Sequence, residues 1–437
     1  MEILIKVIQF FLCFTLLVGI HEFGHYIAAR VFKIRVDKFY IFFDPWFSIF
    51  KFKRGDTEYG MGWLPLGGYC KIAGMIDESM DKEQMAAPAK PDEFRSKPAW
   101  QRLIVMLAGV TLNLLLAIGI YIGISYKWGE AYYANEDVKW GYNFSTKAET
   151  LGFKDGDHLL KIGTETVDDI SKIPLQIILS DNDQVIEIER NGQRQEIIIP
   201  LDKLVELRKD KNLSNLSTPL MPFIIDSIMV ESSAVLHRGD QFIAIEGEKV
   251  TDFMKYRKWF AEHKNGIANV TILRNAEEIN LSIPIDSNGK IGVKLQNPFT
   301  PRIQEYTLIE SIPAGINKAG NTVASYWKQL SLIVKPETEM YKELGGFVAI
   351  GNMFSGDWNW YDFWMKTAFL SIILAVMNVL PIPGLDGAHA LFTLWEIITR
   401  RKPSDKFLEY AQYVGMFLLF GLLIYANGND FYRLIFK

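Results

Sequence analysis

The chain has 437 residues, enough for two or three domains, and a formal net charge of −4 with no basic run, so nothing in it marks a nucleic-acid-binding protein. Hydrophobic residues make up 49% of it but gather in long stretches, as expected where membrane segments and a soluble portion share one chain. The two cysteines, Cys13 and Cys70, form neither a disulfide framework nor a CxxC site.

The first predicted element is a helix over residues 3–30. Residues 7–20 carry no charge, and His21-Glu22-Phe23-Gly24-His25 follows directly. Positions i and i+4 share a helix face, so His21 and His25 can hold one metal ion while Glu22 serves as acid/base beside it. No small-residue cleavage site precedes His21, so the segment reads as an uncleaved membrane helix rather than a signal peptide. Two aromatic, β-rich runs follow, separated by Gly55-Asp56, and predict a hairpin. Residues 39–52 are too apolar for an exposed loop and suggest association with the membrane. A charged linker over 77–97 leads to a second membrane helix over 103–124, where Thr111 and Asn113 read as interhelix hydrogen-bonding residues.

Residues 128–300 repeat themselves. Lys154-Asp155-Gly156-Asp157 parallels His237-Arg238-Gly239-Asp240 at an offset of 83, and Ile199-Pro200-Leu201-Asp202 parallels Ile283-Pro284-Ile285-Asp286 at 84. The shared pattern resembles PDZ domains of bacterial envelope proteases, which implies a groove for peptide termini; a pair of spacers that bind nothing is the alternative. Residues 306–334 predict an amphipathic helix along the membrane surface, and 344–347 a glycine turn. A third membrane helix over 367–380 is broken by Pro381 and Pro383, with Asn378 and Asp386 on either side of the break. A fourth runs over 407–425. Residues 33–102 hold 12 lysines and arginines, and Arg400, Arg401, Lys402 and Lys406 precede the fourth helix. Both loops are therefore expected in the cytoplasm, with the repeats outside and His21, His25 and Asp386 together near the cytoplasmic side.

Catalytic zinc takes three protein ligands and a water. Asp386 is the expected third ligand, since a carboxylate at membrane depth is expensive unless paired or ligating. A turn or helix-cap role is its alternative, and Asp44, Asp56 and Glu58 are weaker candidates. His389 reads as a packing or supporting group, and His158, His237 and His263 in the repeats need no metal.

HEFGH, PLGGY, the paired PDZ-like repeats and the run Asn378 to Gly387, which fits NxxPxPxLDG, resemble the site-2 protease family. The order of parts is similar to its bacterial branch that includes the regulator of sigma-E protease. The resemblance implies a polytopic α-helical membrane protein with about four transmembrane helices, a membrane-associated β-hairpin region and two tandem extracytoplasmic PDZ-like domains. It implies Zn2+ on His21, His25 and Asp386, with Glu22 as catalytic acid/base. Asn378, Gly67 and Gly68 would contact an unwound substrate. Ala388 and Phe347 depart from glycine and proline in the family pattern.

The expected partition is 1–30 first helix, 31–99 hairpin loop, 100–126 second helix, 127–215 and 216–300 the repeats, and 301–362 an amphipathic connector. It continues with 363–390 third helix, 391–406 cytoplasmic loop, 407–426 fourth helix and 427–437 tail. The implied function is intramembrane proteolysis of single-pass membrane proteins already trimmed by another protease, such as anti-sigma factors, in the bacterial inner membrane. Rival readings are a protease clearing remnant signal peptides, a non-catalytic PDZ scaffold and a metal transporter, the last opposed by the absence of inverted repeats.

Overall fold

The computed structural model describes residues 1–64, 67–75, 88–208, 217–229, 235–250, 252–297 and 299–436. Pro65 and Leu66 of the PLGGY motif, most of the 77–97 linker and the boundary at 215/216 lie outside the described residues. Contacts divide the chain into two units, Met1–Gly129 with Glu305–Lys437, and Glu130–Gln304.

The first unit carries four helices long and apolar enough to cross a membrane: Glu2–Val31, Ala99–Trp128, Trp360–Val379 and Lys406–Ile435. They belong to α1 (Glu2–Val31), α2 (Ala99–Trp128), and two later helices. At 1.5 Å per residue, 30 residues rise about 45 Å, more than the roughly 30 Å of hydrocarbon. Between α1 and α2 lies a four-stranded sheet, β1 (Val36–Ile41), β2 (Phe43–Arg54), β3 (Thr57–Leu64) and β4 (Tyr69–Ile72), in the order β2-β3-β1-β4. The predicted hairpin is present: β2 and β3 pair antiparallel with Arg54 opposite Thr57, and Gly55 supplies a positive φ of 65° in the turn. Trp46, Phe47, Ile49, Phe50 and Phe52 on β2 stand exposed, a surface suited to lipid. β4, at the opposite edge, packs with β1 against the end of α1.

The second unit contains the repeats. One sheet orders β8 (Gln193–Ile199), β7 (Gln184–Arg190), β5 (His158–Ile162) and β6 (Glu165–Thr166). The other orders β10 (Glu248–Lys249), β9 (Gln241–Ile245), β11 (Ile267–Arg274) and β12 (Glu277–Pro284). Each has its own core, one around Leu159, Ile186 and Ile188, the other around Phe242, Tyr256 and Ile272. The repeated Gly-Asp has a structural cause. Arg190 donates to Asp157 through Nε at 2.7 Å and Nη2 at 2.6 Å, and Arg274 grips Asp240 with the same two distances. Each arginine also donates to a loop carbonyl, that of Gly152 or Val235, so the pair staples the loop to the sheet.

The repeats also carry four short helices, α3 (Thr146–Thr150), α4 (Ile173–Ile178), α5 (Leu201–Arg208) and α6 (Phe253–Glu262). In the first unit the helix after the repeats, α7 (Leu308–Ile333), starts with a Thr307–Glu310 capping box. Its Ser311, Gly315 and Ala319 are buried, and a Cβ on Gly315 would come within 2.6 Å of Ile122. Small residues four apart let two helices in lipid approach closely, so this amphipathic helix lies along α2, with α9 (Trp360–Val379, after the short α8, Phe347–Asn352) completing the cluster. The last two helices are α10 (Asp386–Thr399) and α11 (Asp405–Phe436). α11 continues past the apolar run because its polar final turns are bound: Asp430 accepts from the Gly346 and Ala349 amides, and Asn429 donates to the Lys342 and Leu344 carbonyls.

Candidate metal centre

Residues of α1 begin the site. His21 and His25, one turn apart, are 8% and 6% exposed, and their Nε2 atoms lie 3.3 Å apart. The proline pair brings in a third group. α9 ends at Val379, the backbone turns through Pro381, Pro383 and Gly384 (φ +97°), and α10 begins with Asp386. Gly387 lets this first turn seat on the end of α9, since a Cβ there would lie 2.3 Å from the Val379 carbonyl oxygen. Asp386 Oδ2 then falls 3.1 Å from His21 Nε2 and 3.2 Å from His25 Nε2. Asp386 is the first residue of α10 and makes no side-chain cap, so the cap alternative is set aside.

These three atoms fit a metal. Tetrahedral zinc with bonds of about 2.0–2.1 Å requires ligand atoms roughly 3.3 Å apart, and the three edges are 3.3, 3.1 and 3.2 Å. His25 Nδ1 lies 2.8 Å from the Val105 carbonyl, so that nitrogen carries the proton and Nε2 presents a lone pair. Asp386 Oδ2 is buried with no hydrogen-bond partner among the described residues. Electron-rich atoms this close repel unless a cation lies between them.

α2 forms the wall behind the histidines. Val105, Gly109 and Asn113 repeat every four residues on one buried face. A Cβ on Gly109 would lie 2.5 Å from His25 Nε2 and 2.8 Å from His21 Cε1, and one on Gly24 would lie 2.4 Å from the Ala108 oxygen. The two helices can meet at this distance only through glycine. Nothing in the sequence pattern alone marks Val105, Gly109 or Gly24 as part of this contact. The interhelix role expected of Asn113 has a specific partner: its side-chain amide lies 3.4 Å from His21 Nδ1 on α1. Thr111 donates within its own helix, to the Leu107 carbonyl, and makes no side-chain bond to another helix among the described residues.

Glu22 lies within electrostatic reach of His25, His21 and Asp386, and its carboxyl faces the Cys70 backbone amide on β4. Gly68 keeps that approach open: a Cβ there would lie 2.7 Å from the Tyr40 oxygen, 2.8 Å from Val18 Cγ1 and 3.3 Å from Glu22 Cγ. Gly67 passes beside the Phe43 ring. Asn378 is half-buried one residue before the end of α9, and its amide makes no hydrogen bond with a described residue. The weaker ligand candidates are engaged elsewhere. Asp44 accepts from Tyr69 and Ser48, Glu58 accepts from Tyr40, and Asp56 sits in the β2–β3 turn. His389 lines a pocket with Arg102, Thr393 and Glu396.

Known proteins resemble this chain along nearly its whole length. The chain is 26% identical to the "Regulator of sigma-E protease RseP" of Salmonella typhimurium, over 99% of this chain and 100% of that protein. It is 26% identical to the "Regulator of sigma E protease" of Haemophilus influenzae, over 98% of each. A Treponema pallidum relative, provisionally named as a zinc metalloprotease, is 25% identical over 98% of this chain and 99% of its own. The model of Peptidase family M50 matches residues 9–422, and the chain belongs to that family.

Proposed function

We propose that this protein is an intramembrane zinc metalloprotease that cleaves peptide bonds in or near the transmembrane segments of other membrane proteins. The observation that carries the reading is the triangle of His21 Nε2, His25 Nε2 and Asp386 Oδ2, with edges of 3.1–3.3 Å, built on helices of membrane-spanning length. These three residues would hold the zinc. Bound there, it supplies Lewis-acid activation of a water at near-neutral pH.

The remaining steps belong to the chain's own groups. The Glu22 carboxylate takes the proton of the attacking water and returns it to the leaving amide nitrogen. Asn378 donates to the substrate backbone next to the scissile bond. A helix in lipid hides its amides in internal bonds, and opening them costs several kcal/mol per unpaired group. β4, an edge strand lying against Glu22, offers replacement partners to the unwound substrate, and Gly67 and Gly68 clear its path.

The lysine and arginine bias supports an inner-membrane protein with the site towards the cytoplasm and the PDZ-like repeats outside. There the repeats would bind peptide termini or filter out bulky substrates. Single-pass proteins already shortened by another protease, anti-sigma factors among them, suit such a filter.

The test is Glu22→Gln in purified, reconstituted protein supplied with a membrane-helix reporter. Zinc should be retained and cleavage lost. Appreciable remaining turnover would remove Glu22 from the mechanism, and a wild-type protein without stoichiometric zinc would overturn the reading as a whole.

A further inference from the structure

Each histidine of the triangle turns Nε2 towards Asp386, which leaves both Nδ1 atoms to be held by something else. A metal-binding imidazole keeps its proton on the other nitrogen, and the acceptor of that proton fixes tautomer and ring angle. For His25 the acceptor is the Val105 carbonyl, at 2.8 Å. For His21 the polar group at Nδ1 is the side-chain amide of Asn113, two turns further along the same face of α2.

We infer that Asn113 is the positioning residue for His21, its side-chain oxygen accepting the Nδ1 proton and so presenting the Nε2 lone pair to zinc. This rests on the reading of His21 as a ligand. The two ends of an amide are equal in size, and the partner decides which end faces it. With Nδ2 towards His21, two donors confront each other, and Asn113 Oδ1 is left buried with no partner among the described residues. Turning the amide by 180° pairs Oδ1 with the imidazole N–H and removes the confrontation. Asn113 is fully buried, so water does not offer an alternative acceptor from bulk.

The residue is well placed for this task. Its backbone carbonyl accepts from Ser371 Oγ at 2.7 Å, which ties it to α9, the helix that leads into the break before Asp386. Asn113 thus joins the segments carrying His21 and Asp386. A neutral amide also adds no further negative charge to a site that already holds Glu22 and Asp386. The requirement is for an acceptor, and that separates positioning from packing: aspartate can replace the amide oxygen, whereas leucine of nearly the same shape cannot.

The experiment uses the full-length protein in detergent and measures zinc affinity by competition with a chelator for wild type, Asn113→Leu and Asn113→Asp. The visible spectrum of the cobalt-substituted forms is recorded as well. The leucine variant should bind zinc about 10- to 100-fold more weakly and show a shifted cobalt spectrum. The aspartate variant should stay within about threefold of wild type, the rescue expected of an acceptor. A leucine variant with wild-type affinity, or an aspartate variant as weak as leucine, overturns the inference alone. If Asn113→Leu does not fold, Asn113→Val is scored by the same criteria. A wild type that binds no zinc overturns the ligand reading beneath it.

Discussion

Three aspartates with buried carboxylate oxygens, two in the repeats and one in the membrane unit, share a side chain but not a purpose. Asp157 and Asp240 are each 1% exposed, and each is held by both nitrogens of an arginine fork. That pairing neutralises the charge locally and closes a loop on a sheet. Among the described residues Asp386 has no such partner. It faces two imidazole nitrogens, one of which must present a lone pair because its ring's other nitrogen binds a carbonyl. A carboxylate matched by arginine is architecture, while one set against an imidazole lone pair calls for a cation.

Substitutions can break or sharpen this contrast. The largest effect is expected from Glu22→Gln, which should lower cleavage of a membrane-helix reporter at least about 100-fold while leaving bound zinc in place. Asp386→Asn comes next. Zinc content measured after chelator dialysis should fall by more than the roughly tenfold expected for loss of an outer partner, and unchanged content would point to another third ligand. Gly109→Ala probes the wall: the added methyl should push the two rings apart and reduce turnover by about 100-fold, with far-ultraviolet circular dichroism unchanged.

The repeat unit should respond in the opposite sense. Arg274→Met leaves Asp240 buried without its partner and should destabilise that unit by about 3 kcal/mol, the low end of the range because the guanidinium is 21% exposed. Zinc retention should be normal; an equal loss of zinc would erase the contrast. The smallest effect is on acid stability. Burial raises the Asp240 carboxyl, but the Arg274 guanidinium and the His237 amide outweigh it and hold the group below the usual carboxylate range. A depressed folded-state value means stability that is present above about pH 4 and lost as pH falls through the folded-state value. Acid unfolding of wild type but not of Asp240→Asn should therefore steepen below about pH 4.

What was legible in the sequence had a period or a chemical signature. The histidine spacing, the apolar runs, the Gly55-Asp56 turn and the 83-residue offset all survive as local patterns. What escaped were properties of contact. Gly109 and Gly24 look like ordinary helix glycines until two backbones are brought together. The far end of α11 read as a tail because Asn427, Asn429 and Asp430 are polar, and only the loop over 340–349 shows what they bind. The packing of α7 along α2 follows from Ser311, Gly315 and Ala319, a pattern overshadowed by the helix's mixed polarity.

The bond from His25 to Val105 has a consequence for genetics. The acceptor is a peptide oxygen, so every residue that sustains the helix at position 105 supplies it equally well. A saturation screen would score that position by side-chain bulk alone and remain blind to its part in the metal centre, while the same screen would flag position 109, which touches both rings.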